Sequence, residues 1–244
     1  MRPRIAIPVP HSFKPDYVQR SLPQYEQAIE QAGGEAVRIP LGLEPEAVAR
    51  LIAQCDAVLL PGSPADIDPQ KYEQARDPHT ADPDPQRDMV DELLLQDAYN
   101  MRKPVFGICY GLQSLNVWRT GTLLQHIVDT EVKHEAGREV LRAHGVRVEP
   151  GTRLAAILAS SSGELAVNSS HHQAAGTIGD GLRASAVSER DGIVEAVEGT
   201  APEHFVLAVQ WHPERTVASD EASRALFRAL VDAAKEWRQR SSAA

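Results

Sequence analysis

The chain has 244 residues, 42% of them hydrophobic and 24% charged, with a net charge of −9. That length fits one α/β domain over residues 1–244, with a substantial core. The acidic balance argues against nucleic acid as a partner, because there is no basic excess to neutralise phosphates. Two cysteines, Cys55 and Cys109, are too few for a disulfide framework. Pro3, Pro8 and Pro10 interrupt the N-terminal stretch, so no signal peptide is expected, and no apolar run reaches the ~18 residues of a membrane span. The expectation is a cytoplasmic protein with no membrane association, a compartment whose reducing conditions suit a reactive thiol.

Residues 4–9 read as the first strand, and His11, Ser12 and Phe13 loop from its end. Such loops line the site in an open α/β sheet, although His11 alone is a weak signal. Ser21 and Pro23 stand at preferred cap and first-turn positions. They predict a helix that buries Leu22, Tyr25, Ile29 and Ala32 and stops at Gly33 and Gly34. A strand over 35–39, a helix over 44–53 and an apolar strand over 56–60 follow, with Cys55 as an inert packing residue. Pro61, Gly62, Ser63 and Pro64 form a turn. Residues 65–88 are rich in Asp and Pro without the spacing of a calcium loop, and read as a solvated loop over the site. A helix over 86–101 carries Met89, Val90, Leu93 and Leu94, and an acidic first turn with an ion pair accounts for Arg87, Asp88 and Glu92.

The first chemistry-bearing stretch follows. Val105, Phe106 and Ile108 end a buried strand, Cys109 comes next between Gly107 and Gly111, and Leu112, Leu115, Val117 and Trp118 continue as a helix. A strand that turns sharply into a helix, with a nucleophile at the corner and glycine on both sides, is a nucleophile elbow. The helix N-terminus beside the sulfur favours thiolate over thiol.

Beyond it, residues 128–138 read as polar and exposed, 140–148 as a strand, 152–159 as a short helix and 160–163 as a loop. A strand from Leu165 runs out into Asn168, Ser169, Ser170, His171 and His172. Adjacent histidines in extended chain point to opposite sides, and no His-x-x-x-His or Cys-x-x-Cys pair occurs, so no metal site and no cofactor are expected. Residues 182–187 and 193–197 form a hairpin around Asp191 and Gly192. A strand over 206–209 then delivers Trp211, His212 and Glu214. His212 and Glu214 share one face, so the carboxylate can fix the tautomer of the imidazole, and the imidazole can take the proton of a thiol. Ser219 caps a last helix with Leu226, Leu230, Ala233 and Trp237 inward, and residues 238–244 should fray.

Taken together, the cysteine elbow and the run Gln210, Trp211, His212, Pro213, Glu214 resemble a class I glutamine amidotransferase-like domain over nearly the whole chain. Residues 60–64, 167–173 and 191–196 are similar to the gamma-glutamyl hydrolase branch, the peptidase C26 family. The resemblance implies an α/β fold with flavodoxin-like layering and a mostly parallel central sheet flanked by helices. It implies a triad of Cys109, His212 and Glu214, with the backbone N–H groups of Gly62 and Tyr110 as oxyanion donors. Gln113, Ser169 and His171 would contact substrate, and His126 would be structural. The implied reaction cleaves a small gamma-glutamyl amine, such as gamma-glutamyl-GABA or a gamma-glutamyl-polyamine, to glutamate and amine through a thioester.

Two departures stand out. The branch usually has Arg after the nucleophile, where this chain has Tyr110, whose side chain is expected at the mouth of the site. Thr120 and Gly121 replace a usual glycine pair. The released amine stays open, and a homodimer is compatible with a sequence that does not fix oligomeric state. Two other readings share the fold: an ammonia-supplying glutaminase subunit, which needs a synthetase partner, and a non-enzymatic sensor, which has no need of a base and its orienter.

Overall fold

The computed structural model describes residues 1–128, 130–158 and 165–243. Alternation along the central strands dictates its layering. Ile5, Ile7, Leu59, Phe106, Ile108, Leu207 and Val209 enter one apolar cluster, while Ala6, Val58, Leu60, Val105, Val206 and Ala208 enter another. Strands buried on both faces in this way need a helical layer on each side.

The strands are β1 (Arg4–Pro8), β2 (Glu35–Ile39), β3 (Ala57–Leu60), β4 (Val105–Ile108), β5 (Leu123–Leu124), β6 (His144–Val148), β7 (Leu165–Val167), β8 (Ala174–Ala175), β9 (Leu182–Ser188), β10 (Val194–Gly199) and β11 (Val206–Val209). The helices are α1 (Pro15–Gln31), α2 (Pro45–Ile52), α3 (Pro85–Met101), α4 (Tyr110–Trp118), α5 (Arg153–Leu158) and α6 (Glu221–Ala243). The main sheet runs β2-β1-β3-β4-β11-β10-β9-β6-β7, and β5 pairs with β8 apart from it. From β2 to β11 the pairings are parallel, and from β11 to β7 they are antiparallel. The α/β layering is as the resemblance implies, and the antiparallel half extends the parallel block. Among the described residues no helix is long and apolar enough to cross a membrane.

Several local expectations change. The first helix begins at Pro15, with Pro23 inside it. Burial of Leu22, Tyr25, Ala28 and Ile29 on one face outweighs the backbone hydrogen bond that Pro23 cannot make. Ser21 is not a cap, because its Oγ donates to Tyr17 O one turn back (2.7 Å). The strand expected over 140–148 spans only β6, and the loop expected over 160–163 lies outside the described residues. The last helix does not fray at 238. Trp237 Nε1 donates to Met101 O (2.8 Å), and Arg238 Nε donates to Asp56 Oδ1 (3.0 Å).

The stretch 65–88 is only in part the solvated loop expected: residues 73–76, 78, 79 and 82 are exposed, but its ends are packed and α3 begins at Pro85. Asp66, Asp84 and Asp88 are buried and each is bonded. Asp84 caps α3 and accepts from Ser12 N and Oγ (2.6 and 2.8 Å). His11 is held here as well, its Nδ1 accepting from Phe13 N (2.9 Å). The ion pair of α3 is also different from the one expected. Glu92 is exposed and pairs with Lys71, whereas Arg87 pairs with Asp91 (2.7 Å), and both are fully buried. Arg87 also donates to Pro10 O (3.0 Å) and Pro61 O (2.7 Å), tying together the loops that leave β1 and β3.

Removing one member of a buried pair strands the other charge. Arg87→Met is therefore expected to lower stability in urea denaturation by about 3–5 kcal/mol. A loss below about 1 kcal/mol, as for an exposed pair, would show that this guanidinium does not hold the two loops.

Candidate active site

Cys109 follows β4 at φ 53°, ψ −105°, a conformation that costs a non-glycine residue about 1–3 kcal/mol. Its two glycines are required by close approach. A Cβ on Gly111 would collide with the backbone oxygen of Leu60, and one on Gly107 would lie 2.8 Å from Gly111 C. The elbow expected from sequence is present. Cys109 N donates to Val209 O (2.8 Å), and the parallel register pairs Ile108 with Val209. His212 therefore leaves the neighbouring strand close to where Cys109 leaves its own.

His212 is fixed on two sides. Its Nδ1 lies 2.8 Å from Glu214 Oε1, with both side chains buried. Its backbone is clamped reciprocally by Asn168: His212 N donates to Asn168 Oδ1 (2.9 Å), and Asn168 Nδ2 donates to His212 O (2.8 Å). A carboxylate only accepts, so Nδ1 carries the proton and Nε2 keeps a lone pair. Burial lowers the His212 pKa, with Glu214 opposing. Burial raises Glu214, but His212 and Arg215 more than reverse it, leaving that carboxyl below its ordinary range.

Burial pushes the Cys109 thiol up to about 12, Arg215 pulls it down and Glu214 adds to the rise. The backbone N–H of Tyr110 at the start of α4 lowers it, in the direction of the helix N-terminus argument, but desolvation is the larger effect. Burial therefore favours the thiol form of Cys109, opposite to the thiolate that the helix N-terminus alone would favour.

Cys109 and Gln113 border a cleft, with Ser63, Asp66, Glu135, His172 and Gln173 among its other walls. Among the described residues no lysine or arginine lines it, and Arg215, just behind its wall, donates to Ser170 Oγ (2.8 Å). His172 Nε2 approaches Asp66 Oδ2 (3.0 Å), and this contact raises the His172 pKa.

Comparison with known proteins gives the family and the fold. The peptidase C26 sequence profile matches residues 9–214. The chain belongs to the peptidase C26 family. A Mycobacterium tuberculosis protein provisionally named a glutamine amidotransferase is 41% identical over 223 residues, covering 90% of this chain and 69% of that protein. The gamma-glutamyl-gamma-aminobutyrate hydrolase of Escherichia coli K12 is 37% identical over 221 residues, covering 86% of this chain and 84% of the other. In fold, a crystal structure from Thermoplasma acidophilum, described as a component of GMP synthase, superposes with a TM-score of 0.68 at 15% identity, covering 99% of this chain and 98% of that one.

Some C26 site residues sit differently from expectation. The Gly62 N–H is committed to Tyr25 Oη (3.1 Å), so it is not a free oxyanion donor in this state. The Tyr110 side chain does not face the mouth. It is buried, its Oη donates to Asp88 Oδ1 (2.5 Å), and the Arg87 guanidinium lies 4.9 Å from its ring. Ser169 is fully buried and does not line the cleft. His171 borders the cleft, but Nδ1 faces Gln173 O (2.9 Å) and Nε2 faces Glu195 (3.6 Å), so neither ring nitrogen is offered to a ligand there. Gln113 stays at the cleft, donating to Gln173 O (3.2 Å).

Sequence reasoning missed the clamp by Asn168, the Tyr25 hydroxyl, Arg215 beside Glu214, and the gathering of His134, His144 and Glu195 around His171. His134 falls in a stretch expected to be exposed, yet it is buried. Apart from Arg215, which adjoins Glu214, chain reversals distant in sequence bring these groups together, and no local spacing signals them.

A neutral resting thiol has a direct signature. Alkylation of Cys109 by iodoacetamide is expected to rise about tenfold per pH unit from pH 6 to 9, because only the thiolate reacts. A plateau beginning below pH 7 would indicate a preformed ion pair instead.

Proposed function

We propose that the chain hydrolyses the amide bond of a small gamma-glutamyl amine, with Cys109 as nucleophile, His212 as proton carrier and Glu214 as its orienter. The carrying observation is Cys109 held in a left-handed corner next to the strand that presents the buried His212–Glu214 pair. The gamma-glutamyl-gamma-aminobutyrate hydrolase name of the Escherichia coli relative supports the substrate class.

Burial favours the thiol form of Cys109, so attack and proton transfer go together in this scheme. The sulfur bonds to the gamma-carbonyl carbon while its proton passes to His212 Nε2. Charge develops on the carbonyl oxygen, and the N–H of Tyr110, the first residue of α4 directly after Cys109, is one donor for it. A second donor at Gly62 requires release from the Tyr25 hydroxyl. His212 returns the proton to the amine as the C–N bond breaks, leaving a gamma-glutamyl thioester. Water then adds, giving its proton to His212. The C–S bond breaks, the thiol is restored and glutamate departs.

The walls of the cleft suggest the leaving group. Glu135 and the Asp66–His172 pair stand there without any lysine or arginine, which suits a cationic amine better than one ending in a carboxylate. The name of the Mycobacterium tuberculosis relative favours a second reading, in which glutamine is the substrate and ammonia is passed to a synthetase.

Cys109→Ala is expected to abolish turnover while leaving the unfolding curve nearly unchanged, and retained turnover in that variant removes the scheme. On a substrate panel, gamma-glutamyl-putrescine should exceed both gamma-glutamyl-GABA and free glutamine in kcat/KM. A preference for gamma-glutamyl-GABA would refute the charge argument. A preference for glutamine alone would favour the amidotransferase reading.

A further inference from the structure

Four side chains from four separate segments converge beside the cleft. His134 comes from the loop before β6, His144 opens β6, His171 follows β7 and Glu195 lies on β10. His134 Nδ1, His144 Nε2 and His171 Nε2 lie 3.3, 3.4 and 3.6 Å from Glu195 Oε1. The four ligand atoms all fall within 4.8 Å of one another. The side chains are 2%, 6%, 1% and 0% exposed in the same order.

The outer nitrogen of each ring decides what the inner one can do. His134 Nε2 faces Asp191 Oδ2 (2.9 Å), His171 Nδ1 faces Gln173 O (2.9 Å) and His144 Nδ1 faces Gly145 O (3.3 Å). Carbonyl and carboxylate oxygens only accept, so each neutral ring places its single N–H outward. The inner nitrogens are then three lone pairs, aimed with a carboxylate oxygen at one buried region. None of these inner atoms, nor Glu195 Oε2, has a hydrogen-bond partner among the described residues. Acceptors facing acceptors away from water are costly unless a cation lies between them.

The distances point to the size of that cation. Ligand bonds of about 2.0–2.2 Å in a tetrahedron give ligand-to-ligand edges of roughly 3.3–3.6 Å. The three separations from Glu195 Oε1 match that edge. We propose that His134, His144, His171 and Glu195 bind one divalent transition-metal ion of the zinc type in a closed tetrahedral site. Four protein ligands leave no open position, so the ion is structural and does not activate water. Asp191 orients His134 from the outer shell, an arrangement usual for metal-bound imidazole. The site would fix the loop that carries both the wall of the cleft and the Asn168 clamp on His212. It does not depend on the Cys109 chemistry.

The test uses tag-free full-length protein, stripped with a chelator and titrated with Co2+. The expected result is one equivalent bound, with the visible bands of tetrahedral Co2+, displaced by Zn2+, and with thermal unfolding raised by the metal. Cys109→Ala should bind equally. Glu195→Gln and His144→Ala should lose the bands, and Asp191→Asn should weaken Co2+ affinity about 10–100-fold. Circular dichroism establishes that each variant is folded. If Glu195→Gln does not fold, His144→Ala, the least buried ligand, carries the comparison. Absence of stoichiometric binding to the parent chain overturns the proposal. So do undiminished binding to a folded His144→Ala chain and loss of binding in Cys109→Ala, which would place the metal on the thiol.

Discussion

The fit of Gly111 against the backbone of Leu60 is the contact on which the rest of this molecule turns. It lets α4 start immediately after β4 and so sets Cys109 at the corner with a positive φ. Any side chain at position 111 would drive the helix away from β3 and relax that corner. The loop after β3 is part of the same assembly, because the guanidinium of Arg87 holds Pro61 while its ring neighbour, Tyr110, is the first residue of α4. A strained residue therefore rests on a rigid frame of three strands and two helices, where local relaxation would disturb all of them.

The two halves of the sheet contribute differently. The parallel half supplies the thiol, the Gly62 loop and the helices that back them. The antiparallel half supplies groups that hold others in place: Asn168 on the backbone of His212, and Glu195 facing His171. β11 is the seam, parallel to β4 and antiparallel to β10, and it presents His212 and Glu214 where the halves meet. Most of the site's polar groups are buried, so their partners bear on their protonation, and burial of Cys109 favours its neutral form.

The central strands, the elbow, the hairpin and the His212 strand end were legible because each is a local pattern: apolar alternation, glycine at a corner, an Asp-Gly turn. The same local logic misjudged Ser21 and Pro23, where the apolar face of a longer helix overrides the cap signal. It misjudged residues 65–88 for a different reason. Aspartate and proline usually mean solvent, yet here Asp66, Asp84 and Asp88 each find a partner far away in sequence. Tyr110, Gly62 and His171 present their side chains or N–H groups in directions other than those expected. Which way a side chain or an N–H points depends on groups such as Asp88, Tyr25 and Glu195, and nothing near those positions announces them.

The central place of β11 bears on how the protein is made. At synthesis rates of roughly 5–20 residues per second, β4 leaves the ribosome on the order of ten seconds before the strand that lies beside it. During that interval one edge of β4 is unpaired, and the side of Phe106 that later meets Phe227 of α6 is open to water. The nascent chain thus exposes Cys109 well before the strand that leads to His212 is made. The last third of the chain must close over the first before Cys109 and the His212–Glu214 pair stand at neighbouring strand ends.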